Sequence, residues 1–160
     1  MLRRTLLALA MTASLTPQPF MVAGQQPAPW LGTWTLDPAR STRRAEPSPY
    51  RKVTFRIEPI DDAVKVTYRM VGTRGGVTRM EWTGRFDGRD YAVQGADNVL
   101  TNAYRRLDDR SYDIVVKVDG QSAALATARV SADGGTLTVT TAERAARGQT
   151  VHTTAVYERQ

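Results

Sequence analysis

Lys52-Val53-Thr54-Phe55-Arg56-Ile57-Glu58, followed shortly by Val64-Lys65-Val66-Thr67-Tyr68-Arg69-Met70, decides the fold of this chain. In both stretches apolar side chains take every second position: Val53, Phe55 and Ile57 in the first, Val64, Val66, Tyr68 and Met70 in the second. Successive side chains of a strand point to opposite faces, so a period of two describes strands with one face in a core and the other in water. The pattern returns as Met80, Trp82 and Phe86, as Tyr112, Ile114, Val116 and Val118, and as Leu137 and Val139 among Thr136, Thr138 and Thr140. Between these runs stand Ile60-Asp61-Asp62, Thr73-Arg74-Gly75-Gly76, Phe86-Asp87-Gly88, Leu107-Asp108-Asp109, Asp119-Gly120 and Asp133-Gly134-Gly135. Asp-Gly and Gly-Gly accept the positive φ of tight hairpins, so neighbouring strands are expected to pair antiparallel.

Worked outward along the chain, the segments are 31–37, 50–58, 63–71, 76–86, 90–95, 99–107, 111–118, 121–131, 136–143 and 150–158. This regular succession predicts an all-β domain, a single antiparallel up-and-down barrel of about 8–10 strands, because closure removes exposed edges. Residues 142–147 are short and stop at Gly148, which suits a loop or a single helical turn. The irregular, Pro- and Arg-rich stretch 38–49 is expected to cross one barrel end as a lid or strap. A barrel in a membrane would turn an apolar band to lipid. Here Arg56, Lys65, Arg69 and Asp113 lie on the faces opposite the aromatics, and a lipid-facing Arg or Lys at mid-strand costs about 2–4 kcal/mol. The apolar side is therefore expected to point inward.

At the N-terminus Arg3 and Arg4 precede an uncharged, mostly apolar run, Thr5 to Leu15, that Pro17 and Pro19 end. That is the layout of a secretory signal, too short to cross a bilayer as a helix. The expected organisation is a signal peptide over 1–24, cut after Ala23 or Gly24, a flexible lead-in over 25–30, and a barrel domain over 31–160. The expected location is the periplasm or outside the cell. The 160 residues suit one domain and contain no cysteine, so disulfides, a thiol nucleophile and lipid attachment through cysteine are all excluded. Removing 1–24 takes Arg3 and Arg4 but no acid, leaving a mildly basic domain whose arginines are spread along the chain. A nucleic-acid surface clusters its charges, so no nucleic-acid partner is expected.

The first predicted strand reads Leu31-Gly32-Thr33-Trp34-Thr35-Leu36-Asp37-Pro38-Ala39-Arg40-Ser41. It resembles the Gly-x-Trp opening of lipocalins and, more closely, a group of uncharacterised exported bacterial proteins that open with Gly-Thr-Trp. The chain's ending, Thr136 to Thr141 and then Val156-Tyr157-Glu158-Arg159-Gln160, is similar to the same group. The resemblance implies a lipocalin-like (calycin) barrel in which Gly32 and Trp34 form the floor and the indole packs on a basic side chain of a late strand. Arg159 and Arg129 are the two candidates. Elementary chemistry agrees, because glycine permits close strand approach and an indole is the largest plug for a dry floor.

Candidate chemistry is sparse. His152 is the only histidine and has no partner in sequence to make it a general base. No spacing of acids suggests a metal, and no cofactor is expected. Ser41, Ser48, Ser111, Ser122 and Ser131 include no Gly-x-Ser-x-Gly elbow, and Gly72 to Gly76 joins two strands instead of opening a helix. Asn102, Tyr104 and Arg106 alternate with Leu100 along one strand. In that register a phenol and a guanidinium would face the cavity, and fatty-acid-binding barrels use a similar Arg-and-Tyr pair. The opposite register turns Val99, Ala103 and Leu107 inward and fits the alternation equally well. Arg40, Arg43, Arg44, Arg51 and Lys52 make the only basic cluster. It suits either a solvated loop or the steering of an anionic partner. The expectation is a binding protein for a small, partly apolar ligand, with Arg106 available for an anionic head. Its expected contacts are Tyr68, Met80, Trp82, Tyr104, Arg106, Tyr112 and Ile114. The alternative is an envelope interaction module or inhibitor acting through residues 38–51, with a packed interior and no ligand.

Overall fold

The computed structural model describes residues 28–42, 49–144 and 148–160. The proposed signal segment, the lead-in up to residue 27, residues 43–48 of the strap, and 145–147 lie outside the described residues. Ten strands follow one another: β1 Gly32–Asp37, β2 Tyr50–Ile60, β3 Ala63–Gly72, β4 Val77–Gly84, β5 Asp87–Gln94, β6 Leu100–Arg106, β7 Ser111–Val118, β8 Gln121–Val130, β9 Thr136–Arg144 and β10 Thr150–Arg159. Each pairs antiparallel with its neighbour in sequence, and β1 also pairs with β10, opposing Trp34 to Arg159, so the sheet closes into a barrel. Residues 142–144, offered above to a helical turn, continue β9 as strand.

The alternation reads onto the wall directly. Inward rows cross the strands as Trp34, Phe55, Tyr68 and Met80, and as Tyr112, Ala128, Val139 and Ala155. The alanines of β8 are a packing device: Ala126 and Ala128 stand opposite Ile114 and Tyr112, and small residues facing large ones let a narrow barrel fill its interior. Outward positions carry cross-strand ion pairs, Lys65 with Glu81 at 2.9 Å, Arg105 with Asp113 at 3.0 Å and Lys117 with Asp90 at 2.6 Å. Such exposed pairs add little stability. They do place the charged face of each strand outside, as the pattern predicted.

Because the strands run up and down, alternate turns share an end. One end holds the turns at 61–62, 85–86, 107–110 and 131–135 together with the start of β1 and the end of β10. The other holds the connections 73–76, 95–99 and 119–120, with the ends of β1 and β9 and the starts of β2 and β10. The described start of the 38–49 segment runs along the wall and does not cross the opening. Thr42 N–H donates to the Thr154 carbonyl (2.7 Å) and Val156 N–H to Ser41 Oγ (3.0 Å), extending the edge of β1 beside β10. The seam between β4 and β5 is the weakest of the wall, with only Glu81 opposite Gln94 and Trp82 opposite Val93 in register. Just above it Gly95 (φ +81) sits so close to the Arg79 carbonyl oxygen that a Cβ would collide with it.

Candidate ligand cavity

The two ends of the barrel differ in packing. At the first, Trp34 and Trp82 are completely buried, and Trp30, Ile57, Val66, Tyr104, Tyr112, Val130 and Leu137 are buried around them. Trp34 Nε1–H donates to the Trp30 carbonyl at 2.9 Å. The Arg159 guanidinium covers the Trp34 ring with Cζ 4.3 Å from its centroid, and donates to the carbonyls of Leu31 and Gly134, both at 2.7 Å, and of Pro29. Gly32 is required beside it: its φ of +132 is one that L side chains rarely adopt, and a Cβ there would lie 2.6 Å from Arg159 Nη1. Arg159 is thus the late-strand partner of the indole. Arg129 is exposed and reaches only Asp108, at 3.8 Å. Above this seal Trp82 packs on Tyr104 with centroids 4.2 Å apart, and Phe86 folds in from its turn to contact Trp30, Tyr104 and Tyr112.

Toward the other end the inward side chains become only half-buried. A cavity of about 310 Å³ opens there, lined by Tyr50, Met70, Thr78, Met80, Leu100 and Val118 and by the 95–98 connection. A groove of about 440 Å³ adjoins it, sharing Tyr50 and Thr78 and adding Pro49 and the 72–76 hairpin. One layer deeper lies a set of phenols. Tyr68 Oη and Tyr104 Oη are 2.9 Å apart, one donating to the other. Phe55 packs between Tyr68 and Tyr157, with centroids 5.6 and 4.9 Å away. Burial pushes the hydroxyls of Tyr68, Tyr104, Tyr112 and Tyr157 above the usual phenol range. They therefore act at neutral pH as uncharged hydrogen-bonding groups.

β6 faces inward with Leu100, Asn102, Tyr104 and Arg106, while Ala103 faces outward opposite Val115. Of the sequence-derived contacts, Met80 lines the cavity, and Tyr68, Tyr104 and Ile114 stand below it, Tyr104 opposite Ile114. Trp82 and Tyr112 are buried in the sealed half. Arg106 requires correction. It keeps the inward register but occupies the last position of β6 at the sealed end, where its long side chain turns out to water. There it covers the Trp30 ring at 5.3 Å and bonds the Asp108 carbonyl (3.2 Å) and Asp109 Oδ1 (2.5 Å). It presents nothing to the cavity. Alternation fixes which side of a wall a residue faces and leaves its depth open. Counting turns finds the depth: Tyr50, Met70, Thr78, Leu100 and Val118, not singled out above, adjoin connections that share the open end.

The remaining sequence candidates lie apart from the cavity. His152 is exposed on the outward face opposite Ala142. Arg40 pairs with Asp37 (3.9 Å) and Glu158 (3.4 Å), Arg51 and Lys52 are exposed on β2, and Arg43 and Arg44 fall outside the described residues. Among the described residues no group of three or more His, Cys, Asp or Glu side chains is placed to hold a metal, and no helix is long and apolar enough to cross a membrane.

No family model and no curated protein matches the chain. Among solved structures it is similar to zebrafish ileal bile acid-binding protein complexed with cholic acid, at 12% identity and a TM-score of 0.50, over 82% of this chain and 99% of that one. A further similarity, to the siderocalin Ex-FABP, has 14% identity and a TM-score of 0.38 over 82% and 71% of the two chains. The first likeness and the strand order together define the fold as a closed antiparallel ten-strand barrel of calycin type.

Proposed function

We propose that this protein holds a small, largely apolar molecule in the open half of its barrel. The observation that carries this reading is the asymmetry of the interior, sealed by aromatics at one end and hollow at the other, with Met70, Met80, Leu100 and Val118 around the space. Apolar walls with a few convergent polar groups are what small-molecule sites use, and a structural neighbour is described in complex with cholic acid. No Arg or Lys lines the cavity of about 310 Å³, whose one carboxylate is Asp97, and Arg74 stands only on the adjoining groove, so an anionic head within the cavity loses the support that Arg106 would have supplied. The hollow also weighs against the interaction module with a packed interior acting through 38–51. Native mass spectrometry of protein recovered from its own host, followed by organic extraction, is expected to show a copurifying small molecule. A clean apo mass, with no thermal shift across a panel of lipids and small acids, would move the assignment to the interaction module.

We further propose export, on the strength of Arg3, Arg4 and the apolar run that follows them. N-terminal sequencing of the same preparation is expected to begin at Gly24 or Gln25. A mature chain that retains Met1 would overturn export.

A further inference from the structure

Asn102 is 7% exposed, and its Oδ1 is buried without a hydrogen-bond partner. Buried acceptors in folded proteins nearly always find a donor, and one left alone costs about as much as a lost hydrogen bond. The residue lies on the inward row of β6, one step deeper than Leu100, which lines the cavity, and opposite Val116, the inward neighbour of the lining residue Val118. Its backbone is held firmly, since the Trp82 indole donates to the Asn102 carbonyl at 3.0 Å. The next inward residue is Tyr104, tied to Tyr68 and kept neutral by burial. Beneath the cavity lining the barrel thus holds a buried amide whose Oδ1 has no protein partner, beside neutral phenols. A carboxylate brought there would meet another acceptor with no cation beside it on the cavity lining, and an ion would lose its hydration without recompense.

Resting on the cavity reading above, we propose that the ligand is uncharged and carries a hydroxyl that donates to Asn102 Oδ1, the rest of the molecule being apolar.

A matched set of probes separates the two claims: octane, octanol, octanone, octanoate and octylamine, each competed against the neutral dye Nile red and measured directly by native mass spectrometry. Octanol is expected to bind the wild type more tightly than octanoate or octylamine. Asn102→Leu is expected to weaken octanol about tenfold, the scale of one hydrogen bond in an apolar site, while octane and octanone stay within about twofold. The variant removes a buried acceptor that has no partner together with the amide's hydrogen bond to Tyr104, so its melting temperature is measured alongside to show that it folds. Asn102→Ala, which opens space where leucine fills it, is expected to show the same selective loss. Octanoate or octylamine binding more tightly than octanol would overturn the neutral hydroxyl while leaving the cavity occupied. Equal losses for octanol and octanone, or no loss for octanol, would remove Asn102 from the site. Failure of every probe to bind the folded wild type would overturn the cavity reading itself.

Discussion

Trp34 and Arg106 are both inward residues next to the sealed end, yet they carry opposite lessons. Trp34 is completely buried, its indole nitrogen is satisfied and a guanidinium covers its outer face. Replacing it with alanine leaves a hole that the rigid floor cannot collapse into, and Trp34→Ala is expected to cost about 3–5 kcal/mol in urea unfolding, as large buried aromatics do. A loss below about 1 kcal/mol would remove it from the floor. Arg106 lies over Trp30 in contact with water, where a cation–π contact is worth about 0.5–1 kcal/mol. Arg106→Ala is therefore expected to change stability by no more than about 1 kcal/mol and to leave ligand binding at the open end unchanged. Loss of binding in a folded Arg106→Ala protein would return that residue to the site. Gly32 and Trp34 stand out in the sequence as a short motif, and the structure buries that indole completely. The position of Arg106 was not legible in the sequence, because its register is right and only its distance from the mouth excludes it.

At the scale of elements, the strands were read with little error: 63–71 against Ala63–Gly72, 111–118 against Ser111–Val118, 99–107 against Leu100–Arg106. Alternation and turn residues act locally, so they survive in a single sequence. What the sequence concealed is the uneven strength of the wall. β2 and β3 hold register from Tyr50 to Ile60 with one irregularity, whereas β4 and β5 share two residue pairs. That difference depends on where two distant backbones come to rest, which no local pattern records. Strands with few ladder bonds open at lower free energy. Amides of Val77–Met80 and Asp87–Tyr91 are accordingly expected to exchange with solvent before those in the middle of β2 and β3. Gly95→Ala, which forces a methyl toward the Arg79 carbonyl, is expected to accelerate that exchange further. Uniform protection around all ten strands would contradict a weak seam.

For the molecule as a whole, the buried phenols set an alkaline limit. The folded state holds Tyr68, Tyr104, Tyr112 and Tyr157 above their ordinary value of 10.0, chiefly by desolvation. In the unfolded chain they ionise at that ordinary value. Their contribution is therefore complete below pH 10 and declines as pH rises above it, by up to about 1.4 kcal/mol per pH unit for each tyrosine. Unfolding free energy measured by urea titration is expected to be flat from neutral pH to about 9 and to fall beyond 10. Tyr104→Phe is expected to reduce the slope of that fall, and a slope unchanged by the substitution would remove Tyr104 from the group. The pairing of β1 with β10 has a different kind of consequence. With Gln160 N–H bonded to the Thr33 carbonyl, the strands form a ring in which the place of the first and the last is arbitrary. A permuted gene that links the two ends through a short spacer and begins instead at Gly120, in the tight Asp119-Gly120 turn, should yield the same barrel. Such a chain would make the β1–β10 contact early as an ordinary hairpin, sparing it the long loop closure that the natural order requires.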